Sequence, residues 1–361
     1  MRRILLIISS ISVLLLVGCK NDYVVEMPKY SSSPITFSSP AISYDVDSRS
    51  GALNKFPVGG KFGVFGYCVG QDVYGNPDPS SGNVSWDTKK VKCKPDVFFN
   101  VPFICNETVC SYLDGNNVKT WYEPKDYLYT FFAYYPYGEF GTGYTPIMLK
   151  TSEDTYGEPS VNFTMPFSSG NIETDELDYT RVPDVMMAAK FDMVGYAPID
   201  LKFSHALTCL KFRINNLNPT AGLTIHSLKL EGSFYKSIDI KFNGNYDLLE
   251  NEKYKGFYHL IKNDTDVAPD NAYDTESLLL ICNIFPQDDN DYLGGKDIRL
   301  VIDYTFDGSR VSRNYERPSS FAPKSGTRYT AMLNFVGDTF VLQVLPEDVW
   351  ETGSDDNIKF E

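Results

Sequence analysis

Three histidines, seven cysteines and a pool of carboxylates are the groups in this 361-residue chain that could carry chemistry. His205, His226 and His259 stand far apart in sequence, with no HExxH and no close pair to present two imidazoles on one helix face. His205, between Ser204 and Ala206 at the start of a strand-like run, reads as structural. A nucleophile elbow needs G-x-S-x-G and a phosphate cradle needs the P-loop pattern; neither occurs. Gly138 to Gly143 (GEFGTG) is a G-x-x-G-x-G run, which is not the dinucleotide spacing and opens no helix pattern. The Asp288-Asp289-Asn290-Asp291 cluster lacks the EF-hand spacing and its glycine, and reads as a solvated turn. Carboxylate pairs for glycoside cleavage are defined by separation in space, and nothing in the sequence points to one. The chain is therefore expected to be no enzyme, with no metal and no cofactor.

The cysteines say more. Arg2 and Arg3 precede an apolar run, Ile4 to Val17, which is short for a membrane span and reads as a signal segment. It ends in Leu16-Val17-Gly18-Cys19, which resembles a bacterial lipobox; that resemblance makes residues 1–18 a signal peptide and Cys19 the acylated first residue of the mature chain. Lys20-Asn21-Asp22 resembles the surface-export signal of Bacteroidota lipoproteins. Cys68, Cys93, Cys105, Cys110, Cys209 and Cys282 remain, an even number on an oxidising route. Cys105 and Cys110 could close a small loop, and Cys209 and Cys282 lie in apolar runs that suit burial, but spacing leaves the pairing open. There is no CxxC pair for a zinc ribbon or a thioredoxin-like site.

Which elements would position these groups? Aromatic residues make up 14% of the chain, with frequent Gly and Pro, as in a β-protein rich in turns. A formal net charge of −14 argues against nucleic acid and against an anionic lipid surface as partners. Tyr127 to Tyr135 (YLYTFFAYY) is apolar on both faces and predicts a strand buried on both sides. Phe62-Gly63-Val64-Phe65-Gly66-Tyr67 predicts close packing or a bulge at its glycines. Thr208, Leu210, Phe212 and Ile214 share one face of a strand. Ile298, Leu300, Ile302, Tyr304 and Phe306 form another such row, and so do Tyr329, Ala331, Leu333 and Phe335, then Phe340, Leu342 and Val344. No long period of 3.6 with caps appears. The sequence predicts an all-β chain: a tether over 19–34, an N-terminal sandwich over 35–180 and a C-terminal sandwich over 181–361, with the boundary in the polar stretch from Pro166 to Pro183.

Five phrases in order then carry a resemblance: FGVFGY at 62–67, FFAYYP at 131–136, PDVMM at 183–187, LKFSHAL at 201–207 and YTAMLN at 329–334. Behind a lipobox, this set resembles the fimbrillin-like lipoproteins of Bacteroidota, the subunits of protease-assembled type V pili and their paralogues. The resemblance implies two transthyretin-like antiparallel β-sandwich domains in tandem. It also implies export to the outer membrane surface as a lipoprotein and a place in the fimbrium after maturation. A trypsin-like protease would cut after a basic residue in the first domain, and other pilus subunits would be bound by strand exchange, a form of β-augmentation.

Arg49, in the polar stretch Asp45 to Ala52, is the expected cut site, with Lys55 as runner-up; Ile35, Phe37, Ile42 and Tyr44 would belong to the removable strand. The acidic tail from Glu351 to Glu361 carries only Ile358 and Phe360 as apolar residues and makes a poor donor, which allows a tip or anchor role. The alternative is a monomeric surface lipoprotein that binds a glycan or protein of host or bacterial origin. Trp86, Trp121 and Trp350 would be its candidate platforms, although buried positions suit each of them better.

Overall fold

The computed structural model describes residues 29–42, 55–68, 70–71, 77–78, 85–115, 118–123, 127–140, 143–166, 176–242, 247–283, 292–316, 321–349 and 358–359. Among these the chain is nearly all β, with one short α-helix, Trp86–Lys89. The period-two rows seen in the sequence are the inward faces of strands, and three sheets carry most of them.

The first sheet holds Phe37 and Ile42, which the sequence reading places in the removable strand. In chain order its strands and their neighbours are β1 (Lys29–Pro34), β2 (Phe37–Ser38), β3 (Ala41–Ile42), β4 (Lys61–Tyr67), β5 (Phe98–Cys105), β6 (Val109–Tyr112), β7 (Thr120–Glu123), β8 (Leu128–Tyr135), β9 (Met186–Val194) and β10 (Lys202–His205). Eight of them run in the spatial order β2-β6-β5-β4-β8-β9-β10-β3, while β1 and β7 form a separate ribbon. Residues 29–34, expected as tether, are thus paired: Tyr30 lies opposite Tyr122 and Pro34 opposite Thr120. Their polarity suits a ribbon strand that fills no core, so composition alone did not distinguish them from a linker.

Strand β8 is buried on both faces. Tyr129, Phe131, Ala133 and Tyr135 enter a first core, whereas Phe132 and Tyr134 enter a second, larger one. The neighbouring β4 carries its glycines for the two reasons expected. The ladder with β5 shifts between Val64 and Gly66, and a Cβ on Gly63 would lie 2.6 Å from the Tyr134 ring.

The second core lies under two further sheets. One is built on the 19-residue strand Leu223–Lys241, with Asp247–Ile261, Arg299–Phe306 and Ser309–Glu316 among its members. The other centres on Thr208–Asn216 and Thr327–Val336, which run parallel, and continues into Thr339–Val349. Sheet membership crosses residue 180 in both directions. Strands β9 and β10 sit in the first sheet, while Ile147–Leu149 and Ser160–Thr164 pair into the sheet of Leu223–Lys241.

Candidate functional site

The first sheet has β2 at one end of its order and β3 at the other, yet only Ser39 and Pro40 separate these two strands in sequence. One segment, residues 35–42, therefore closes the sheet on itself. On one side β2 runs antiparallel to β6, with Phe37 opposite Cys110 and Ser38 opposite Val109. On the other side the chain runs parallel to residues 199–203, with Phe37 bridged to Ile199, Ala41 opposite Lys202 and Ile42 opposite Phe203.

Both rails are hydrogen-bonded. Ser38 N donates to the Ile199 carbonyl at 3.0 Å, Ile199 N donates to the Thr36 carbonyl at 2.8 Å, and Ala41 N donates to the Leu201 carbonyl at 3.0 Å. Across the other rail, Ile35 N donates to the Lys119 carbonyl at 2.8 Å and Ser39 N to the Thr108 carbonyl at 3.2 Å. The Tyr112 hydroxyl donates to the Ile35 carbonyl at 2.8 Å, and burial pushes this phenol up to about 12.

The side chains of this segment supply core. Ile35 and Phe37 are fully buried, and Ile42 packs against the same cluster. The Phe37 ring lies 4.6 Å from Phe103, 5.8 Å from Phe131 and 6.0 Å from Phe62, each edge-on. Burial of a phenylalanine contributes about 1.5–3 kcal/mol, and each edge-on pair adds about 0.5–1.5 kcal/mol. Removing residues 35–42 would leave an apolar groove between two strand edges with unpaired backbone groups. Such a site accepts a β-strand.

Of the sequence-derived site residues, Lys55 lies within the described residues and is exposed. Phe56 follows it directly and is buried, packing on Phe62, Tyr135 and Phe203. A cut at Lys55 would thus sever the chain between the upstream segment and a downstream one that Phe56 anchors in the core. Cys19, Arg49 and Tyr44 lie outside the described residues, as do Trp350 and the Asp288–Asp291 cluster.

The cysteines divide. Cys105 and Cys110 form a disulfide across the β5–β6 hairpin, while Cys68, Cys93, Cys209 and Cys282 are buried thiols outside any disulfide. Burial raises the pKa of all four, which keeps them protonated and weakly nucleophilic.

The histidines serve as ties between elements. His205 Nδ1 and Asp184 Oδ1 are 2.9 Å apart, both side chains almost wholly buried. His226 on Leu223–Lys241 joins Asp264 at 2.7 Å and Thr305 at 2.7 Å, linking three segments. His259 Nε2 meets the Ser227 hydroxyl at 3.1 Å. Trp86 and Trp121 are buried among aromatic rings, which removes both as exposed platforms. The C-terminal Ile358–Lys359 strand adds to the edge of Thr339–Val349, with Ile358 opposite Val344.

Sequence reasoning missed Ile199, Leu201 and Phe203 as the second rail. Their alternation with Asp200 and Lys202 is a strand signal that could have found them.

A sequence model of the family described as fimbrillin-like matches residues 84–345. Among solved structures, the chain is similar to a candidate cell adhesion protein from Bacteroides ovatus at 14% identity, over 92% of this chain and 100% of that one, with a TM-score of 0.49. A second such protein, from Bacteroides uniformis, matches at 12% identity over 88% of this chain and 98% of that one, with a TM-score of 0.46. The fimbrial anchor protein Mfa2 from Porphyromonas gingivalis matches at 11% identity over 87% and 97%, with a TM-score of 0.33. No curated protein sequence matches.

Proposed function

Since the chain belongs to the fimbrillin-like family, we propose that it is a subunit or accessory adhesin of a pilus, built into the fibre by strand exchange. Its precursor is exported as a lipoprotein held in the outer membrane through Cys19. A trypsin-like protease cuts after Arg49, or after Lys55, and releases residues 35–42 together with the anchor. The groove they leave takes a strand from another subunit. Division into two sandwich domains near residue 180, with strands contributed across that point in both directions, belongs to the same proposal.

One observation carries this reading: residues 35–42 are held by a short ladder on each side and by Ile35, Phe37 and Ile42 against the core. A foreign strand with apolar residues at the same spacing would satisfy the same groups. The tail offers Ile358 and Phe360, the spacing of Ile35 and Phe37, although its acidic flank keeps a tip or anchor role in view.

The test is limited digestion of the full precursor carrying Cys19→Ser with an Arg-specific protease, read by intact mass and native gel. One cut after Arg49 and a ladder of oligomers is the expected result. Monomers alone after that cut would leave a tip or anchor that needs a different subunit. Resistance at Arg49 to that protease, together with resistance at Arg49 and Lys55 to trypsin, would overturn the maturation route.

A further inference from the structure

We propose that the Cys105–Cys110 disulfide positions the docking edge of the groove, and that it serves the incoming strand more than the resident one. The inference rests on the strand-exchange reading above. Strand β6 has four residues. In the precursor it lies between β5 and β2, so it is paired on both sides. Once residues 35–42 leave, β5 is its remaining partner, through the pairs Phe103–Tyr112, Ile104–Ser111 and Cys105–Cys110. A short edge strand held by so few pairs frays, and a frayed edge must be re-ordered before it can accept a partner.

The disulfide falls on the last of those pairs, beside the turn. Within that turn the Asn106 side-chain oxygen accepts from Thr108 N at 2.9 Å and from Val109 N at 2.8 Å, which sets the direction of β6. The two cysteines face different parts of the chain. Cys110 lies opposite Phe37, upstream of either cut site. Cys105 is bonded to the chain downstream of both: Gly59 N donates to its carbonyl at 2.7 Å, and its own N donates to the Gly60 carbonyl at 3.1 Å. The bridge thereby ties the edge that loses its partner to a part of the protein that stays.

While the leader is present, the pairing of Phe37 and Ser38 with Cys110 and Val109 and the Tyr112 hydroxyl bond to the Ile35 carbonyl hold the same edge, and the bridge is largely redundant. After cleavage the bridge is the covalent tie that locks the three remaining β5–β6 pairs in the register that a new strand must meet. No redox step is required; the disulfide acts as a fixed brace.

The experiment compares the full precursor carrying Cys19→Ser with the same chain also carrying Cys105→Ser and Cys110→Ser. Thermal unfolding is recorded before cleavage. Binding of a fluorescent peptide copying residues 33–42 is recorded after digestion and removal of the leader. The expected result is a melting midpoint within a few degrees between the two uncleaved chains, with peptide affinity at least tenfold weaker in the double variant. Wild-type protein treated with a phosphine reductant, which converts the bridge to two thiols as the phosphine is oxidised, should show the same loss.

Equal peptide affinity with and without the bridge would overturn this inference alone. So would a collapse of the uncleaved double variant, since the bridge would then be a general structural brace. A cleaved wild-type chain that ignores the peptide would overturn the strand-exchange reading and this inference with it.

Discussion

The ring of Phe37 stands edge-on to the ring of Phe103, with centroids 4.6 Å apart, although the two residues belong to strands that are not neighbours in the first sheet. Phe37 crosses over the core from the closing segment, so its removal creates a cavity and also detaches a segment. Phe37→Ala is expected to destabilise the precursor by about 3–5 kcal/mol. Ser38→Ala, which loses a hydroxyl bond to the Ile199 carbonyl at 3.2 Å, should cost about 0.5–1.5 kcal/mol. Denaturant unfolding of the two variants measures both, and equal costs would show that the segment is held by its ladder and not by its plug.

Tyr112 provides a second, pH-dependent check. Its hydroxyl donates to the Ile35 carbonyl, and burial pushes its pKa up to about 12. The folded value lies above the ordinary tyrosine value of about 10. The contribution of the protonated hydroxyl is therefore fully present below about pH 10 and is lost as pH rises through about 12. In cleaved protein the leader should dissociate faster across that window. Tyr112→Phe should release it about five- to tenfold faster at neutral pH, as expected for a bond worth about 1 kcal/mol. Its release should also depend less on alkaline pH. The quantity to measure is leader release by size exclusion at each pH, in wild type and variant.

Asp184 and His205 form a buried link near the same region, since His205 is the last residue of β10 and lies opposite Met186 of β9. Asp184→Ala should cost about 1–3 kcal/mol through the loss of a buried hydrogen-bond partner. Any catalytic role is a separate question from this tie. A fall in melting temperature with an unchanged strand pattern by far-ultraviolet circular dichroism is the expected outcome.

Much of the fold was legible locally. The rows from Ile298 to Phe306 and from Tyr329 to Phe335 alternate cleanly because one face of each strand is core and the other is not. YLYTFFAYY announced burial on both sides, and β8 does separate two cores. The resemblance to the family rested on five phrases whose residues fall largely on buried strands, where packing restricts the choice of side chain.

The partners of each strand were not legible. Ser160–Thr164 pairs with a strand some 75 positions away, and β3 pairs with β10 at twice that separation. A period of two states which face is apolar but not which edge it meets. The same limit hid the second rail of the groove, and it allowed residues 29–34 to pass as tether. The Cys105–Cys110 bridge was legible as a small loop because its two cysteines flank a turn, whereas the burial of Cys68 and Cys93 depends on contacts made from distant strands.

The central claim is that residues 35–42 are an exchangeable strand. Native mass spectrometry of the cleaved, unlipidated chain tests it most directly. The account predicts assemblies in which each accepting subunit has lost the mass of its leader and gained a neighbour. Monomers that keep the leader bound after a complete cut, at concentrations where subunits meet freely, would contradict it.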